Sequence, residues 1–146
     1  MTDRQMDGKL SIVNPESRPR PRGFSHGVVA PPGSRLLHVA GQTAAAGDGR
    51  VSTADFVAQF DTALANVIEI VRRAGGESHH ITRLTIYVTE MDVYLASRSA
   101  LGPVWKKRMG SHYPAMALVG VAALVDPGAV VEIAADAALP SGEEAR

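Results

Sequence analysis

An α+β fold is the class this sequence predicts, and three observations predict it. Apolar segments with strand and helix periods follow one another in the order β-β-β-α-β-α-β-β. Strands grouped around two helices suit a sandwich with both helices on one sheet face. The closing stretch, His112–Leu139, reads as two apolar strands, Ala115–Val125 and Ala129–Ala138, joined by the turn Asp126-Pro127-Gly128.

The elements follow in chain order. Leu10–Val13 is a short strand, ended by Asn14-Pro15. Residues 15–23, rich in proline and arginine, form an extended loop. Phe24–Ala30 and Arg35–Ala40 are strands separated by the turn Pro31–Ser34, which suggests a hairpin. Val51–Gly75 is a helix. Ser52 or Thr53 can cap it, Phe56, Phe60, Leu64, Val67, Ile68 and Val71 form its apolar stripe, and Gly75-Gly76 stops it. Ile81–Thr89 alternates, with Thr82, Leu84, Ile86 and Val88 on one face and Ile81, Arg83, Thr85, Tyr87 and Thr89 on the other. A second helix runs from Asp92 to Met109, with Leu95, Leu101, Val104, Trp105 and Met109 as its buried residues and Gly102-Pro103 as a kink or break. The strands are apolar on both faces, so the face without helices is expected to be covered by another subunit.

Composition narrows the function. The chain has 146 residues, which suits one domain, and a formal net charge of zero. The balance lacks the basic footprint of a nucleic-acid binder; Arg18-Pro-Arg-Pro-Arg22 is a short exception that reads as a solvated connector. There is no cysteine, which removes disulfides, thiolate catalysis and thiolate metal ligands. The N-terminus lacks a signal-peptide core and no apolar run has transmembrane length, so a cytoplasmic protein without membrane contact is expected. His79-His80 adjoin, while His38 and His112 are scattered, so no metal site is expected; no glycine-rich phosphate loop or dinucleotide motif suggests a cofactor.

One acid, Glu132, stands inside an apolar strand, where a carboxylate must be solvated, paired (Arg83 is a candidate) or used. Six segments then carry a family likeness: Gly23-Phe-Ser-His-Gly-Val-Val, Leu37-His-Val-Ala-Gly-Gln42, the Phe60–Gly76 helix, Leu84–Asp92, Tyr113–Val119 and Val131–Ala137. In this order and spacing they resemble the RidA/YjgF family, also called L-PSP endoribonuclease-like. The resemblance spans residues 23–138 and divides the chain into a flexible N-terminal segment with a short strand (1–22), a RidA-like domain (23–139) and a tail (140–146).

The resemblance implies a chorismate-mutase-like sandwich, with a six-stranded mixed sheet and two helices on one face. It also implies a homotrimer with small-molecule ligands in intersubunit clefts, and hydrolysis of reactive 2-enamine or 2-imine intermediates to 2-keto acids and ammonia. The family's Pro-Ala-Arg-Ser motif supplies an arginine that grips the substrate carboxylate. Here the motif reads Pro114-Ala115-Met116-Ala117, so the carboxylate anchor is missing at Met116. The family's loop tyrosine corresponds to Phe24, and Glu132 matches the acid that positions or activates the hydrolytic water. The implied site is thus Glu132 as the catalytic, water-activating residue with Phe24, Ser25, His26, Gly41, Gln42, Met116 and Ala117 around the ligand. Two functions remain open at this point: a hydrolase of altered specificity, and a non-catalytic module that binds or senses a small ligand. Arg18, Arg20 or Arg22 could supply a replacement cation if their loop folds over the cleft.

Overall fold

The computed structural model describes residues 8–142; the first seven residues of the expected N-terminal segment and residues 143–146 of the expected tail lie outside the described residues. Among the described residues there are six strands and two α-helices, with a 3-10 turn at Ser78–His80: β1 (Ser11–Val13), β2 (Gly27–Val29), β3 (Arg35–Gln42), α1 (Phe56–Arg73), β4 (Ile81–Val88), α2 (Met91–Met109), β5 (Ala115–Gly120) and β6 (Val131–Leu139). This is the expected α+β class. The strands form a two-stranded ribbon, β1-β2, and a four-stranded sheet in the order β3-β6-β4-β5. An isolated parallel bridge between Ser25 and Ala115 ties the chain just before β2 to the edge strand β5.

Strand pairing departs from the sequence reading in two places. β2 pairs antiparallel with β1, whereas β3 pairs with β6, so the expected hairpin of the second and third strands does not form. The last two strands are not neighbours either. β4 lies between them, parallel to β5 and antiparallel to β6. A tight turn favours a hairpin but does not compel one. Here β5 ends at Gly120, and the ten residues before β6 give the chain enough length to step across β4.

Helix α1 starts at Asp55, whose Oδ1 accepts from the Val57 N–H at 3.0 Å. Thr53 is therefore not the cap; its hydroxyl accepts from the Asp55 N–H at 3.1 Å. At the other end Gly75 takes φ +96°, a conformation that glycine adopts without a Cβ penalty. The Gly75 N–H donates to Arg72 O at 3.0 Å and the Gly76 N–H to Val71 O at 2.9 Å, satisfying two orphan carbonyls in a Schellman motif.

The core lies between α1 and one sheet face. Leu64, Val67 and Val71 of α1 meet Leu84 and Val88 of β4 and Val131 and Ile133 of β6, and each is fully buried. Each such side chain contributes about 1.5–3 kcal/mol by leaving water. The irregular pairing between Ile81 and Arg83 changes the expected alternation of β4: Ile81 is fully buried, while Thr82 Oγ1 donates to Asp136 O at 3.1 Å. Helix α2 is seated less deeply. Leu101 and Met109 are its buried residues, Val104 and Trp105 are half-buried, and Leu95 is exposed. It continues through Pro103 without a break.

A buried amide stitches two loops to α1. The Gln59 side chain donates to Thr53 O at 2.7 Å and Gly128 O at 3.0 Å, and accepts from the Val130 N–H at 2.9 Å. It has no exposed surface, so these bonds replace the water it lost.

Candidate functional site

The sheet has two unlike faces, and the expected site residues are divided between them. On β6 the odd-numbered residues from Val131 to Ala137 are buried under the helices, and Glu132, Ala134 and Asp136 are half-buried on the opposite, open face. The register places Glu132 opposite Tyr87, and Thr85 opposite both Ala134 and Ala117. Met116 is opposite Leu84 and packs against the helix-side core. Alternation therefore puts Met116 and Glu132 of one protomer on opposite sides of the sheet.

On the helix side, β4, β5, α1 and α2 line an open cavity of about 460 Å³. Its wall includes Phe24, Met116, Tyr94, Trp105 and Tyr113. The Trp105 and Tyr113 rings stack nearly parallel, 7° apart in plane with centroids at 5.7 Å, and the indole N–H donates to His112 O at 3.2 Å. Among the described residues Arg22 is the one charged residue that lines this cavity. Its position follows from the docking of the loop. Buried Ser25 donates its N–H to Pro114 O at 3.0 Å and its hydroxyl to Tyr113 O at 2.5 Å, pinning the preceding residues over the cavity mouth. The His26 N–H donates to Asn14 Oδ1 at 2.8 Å, which fastens the other side of the loop.

Ser25 is thus a fastening residue with its hydroxyl committed to a carbonyl, and His26 is exposed, edge-on to Phe24 at a centroid distance of 5.3 Å. Neither lines the cavity.

On the open face the side chain of Glu132 lies across β3. A Cβ built on Gly41 would come within 2.7 Å of Glu132 Cδ and Oε2, so glycine there gives the carboxylate its space. Among the described residues the Glu132 carboxylate has no ion-pair partner. Arg83 stands in register with Asp136, and Asp136 is engaged by His38 Nδ1 at 2.8 Å. Gln42 follows an irregularity in β3, and its amide donates to Ala40 O at 3.1 Å, a local loop-holding role. Ala117 is exposed on this face.

The histidines are less scattered than their spacing suggests. His79, His80 and His112 line a second hollow of about 840 Å³ beside Pro31 and Pro32. Two of them are tied to backbone: His112 Nε2–H donates to Ile81 O at 2.7 Å, and His80 Nδ1 accepts from the Glu77 N–H at 2.8 Å. Burial pushes both imidazoles below the usual histidine pKa. No group of three potential metal ligands is found among the described residues. No described helix is long and apolar enough to cross a membrane.

Arg22, Tyr94, Trp105 and Tyr113 were not singled out by sequence as one site. The available signal was the second helix, which carries aromatic residues but little of the apolar stripe that a fully seated helix needs.

The fold is that of a known class. The endoribonuclease L-PSP family model matches residues 16–139, and the chain belongs to that family. Among solved structures, a protein of unknown function of the conserved Rid protein family, YyfB from Yersinia pestis, is 34% identical over 90% of this chain and 99% of its own, with a TM-score of 0.76. A Mycobacterium tuberculosis member of the highly conserved YjgF/YER057c/UK114 family is 33% identical over 80% of this chain and 87% of its own, with a TM-score of 0.57. The Escherichia coli YjgF gene product, 24% identical over 79% of this chain and 87% of its own at a TM-score of 0.62, shares the fold. No curated protein matches the chain.

Proposed function

We propose that this protein is a Rid-type homotrimer that binds a small, largely apolar metabolite in the cavity lined by Met116. The observation that carries the reading is the cavity itself. Its volume of about 460 Å³ suits a small ligand, and its wall is aromatic and aliphatic with a single cation at the rim. Met116 presents a thioether there, an adaptable apolar surface rather than a carboxylate grip. The open sheet face, with Leu36 and Val119 exposed, supplies the surface on which subunits would meet.

A second reading is hydrolysis of an imine or enamine, favoured by Glu132, a half-buried carboxylate without a partner among the described residues. Glu132 and the cavity lie on opposite sides of one sheet, so in this reading the acid and the ligand come from different subunits.

Two measurements test the pair of readings. Light scattering on the purified protein is expected to give the mass of a trimer; a monomer would sink both. Decay of 2-imino acids, generated by an amino-acid oxidase, is then followed with and without the protein. The binding reading expects no acceleration. Acceleration that disappears in Glu132→Ala, with the trimer intact, would establish the hydrolase instead.

A further inference from the structure

We propose that Arg22 is the anion anchor of this cavity, so that the ligand is a small carboxylate with an aromatic or branched apolar body. The inference rests on the cavity reading above and names the ligand class. Four observations lead to it. Among the described residues Arg22 is the one charged side chain at the cavity, and no carboxylate lines the wall. Arg22 is exposed and makes neither a side-chain hydrogen bond nor an ion pair among the described residues, so its five donors are available. The loop that carries it is fixed three residues later by the two Ser25 bonds to Tyr113 and Pro114, and one residue earlier by a proline. Finally, the strand that forms the cavity floor offers Met116 and Leu118, which cannot bind an anion.

The division of labour is physical. The apolar body leaves water against Met116, Trp105 and Phe24. The charged end remains at the rim, where the planar guanidinium can take both oxygens of a carboxylate at once. An anchor placed at the rim avoids burying an arginine in an apolar cavity, which would be costly without a partner. The arrangement therefore selects ligands with charge at one end and none along the body.

The protein holds one tryptophan, Trp105, which lies in the cavity wall and reports occupancy directly. Phenylacetate and its neutral isostere 2-phenylacetamide are titrated against the Trp105 fluorescence of the full chain, in the native protein and in Arg22→Gln, Arg22→Lys and Arg20→Gln. Both probes are expected to perturb the signal saturably, with phenylacetate tighter by on the order of tenfold, the strength of a hydrogen bond to a charged group. Arg22→Gln should abolish that preference while leaving phenylacetamide unchanged. Arg22→Lys should restore part of it, and Arg20→Gln should behave as the native protein. A carboxylate preference that survives Arg22→Gln, or equal binding of the two probes to the native protein, overturns the anchor and leaves the cavity reading standing. Silence of Trp105 towards both probes overturns the cavity reading and the anchor with it.

Discussion

The two faces of the sheet solve different problems with neighbouring residues of the same strand. Ile133 is fully buried beneath α1, whereas Glu132, one residue earlier, lies half-buried across Gly41 on the open face. The helix side is an interior of close-packed aliphatic groups that opens into a cavity where α2 stands off the sheet. The open side carries Glu132, Tyr87, Thr85 and the His38–Asp136 pair. The difference teaches that a strand with apolar residues at most positions can still separate stability from chemistry by parity alone. It also separates two positions that the resemblance groups in one site: Met116 belongs to the helix side and Glu132 to the open side.

The sharpest way to break this contrast is to truncate each neighbour in turn. Ile133→Ala is expected to lose about 2–5 kcal/mol of stability in urea unfolding, the range for emptying a buried aliphatic site. Glu132→Ala is expected to stay within about 0.5 kcal/mol of native. Comparable losses at the two positions would show that the open face is packed as tightly as the core.

Next in size is Gln59→Leu. It leaves Thr53 O, Gly128 O and the Val130 N–H without their partner, and each buried orphan is expensive, so a loss of at least about 2 kcal/mol is expected. Calorimetric unfolding within about 0.5 kcal/mol of native would mean that water replaces the amide.

Gly41→Ala comes third, at about 0.5–1 kcal/mol, because the new Cβ meets the flexible end of the Glu132 side chain, which must swing aside on the half-exposed face. In a double-mutant cycle the cost should fall when Glu132→Ala is already present. An undiminished cost would place the strain in the backbone of β3 rather than in that contact.

The smallest effect concerns pH and the hollow lined by His79, His80 and His112. Burial lowers the pKa of His112 and of His80 in the folded state. The unfolded chain therefore binds protons first as pH falls below about 6.5. The stability from these groups is complete above that pH and declines towards their depressed folded values. Urea midpoints should thus fall from pH 7.5 to 5.5. His112→Gln, which can still donate to Ile81 O, should flatten the slope. A midpoint that rises on acidification over this range would contradict the assignment.

Much of the fold was legible because its strongest signals are local. The stripe of α1, its glycine stop and the strand character of Ile81–Val88 follow from periods and turn residues within a few positions of each other. Pairing was less legible, because whether β6 lies beside β5 or beside β4 depends on contacts remote in sequence. The same limit hid the candidate site. The side to which Met116 points relative to Glu132 depends on a register mediated by β4, and no spacing within either strand reveals it. The Ile81–Arg83 irregularity likewise inverts an alternation that the residue types alone made regular. His112 joins His79 and His80 through tertiary folding that a scan for ligand spacing does not capture. Arg22 sat in a segment read mainly as a solvated connector, with a place over the cleft as the alternative; composition could not choose among Arg18, Arg20 and Arg22, and the Ser25 hydroxyl, committed to Tyr113 O, is what brings Arg22 to the cavity.

Gln59 has a kinetic consequence. One side chain of α1 holds the Val130 N–H on one loop and the Thr53 carbonyl on another, so neither loop can release these bonds unless the helix, or at least its first turn, moves. The Val130 amide hydrogen should then exchange with solvent deuterium at the slow rate of the amides within α1, although it lies in a connecting segment where local opening would ordinarily expose it within a far shorter time.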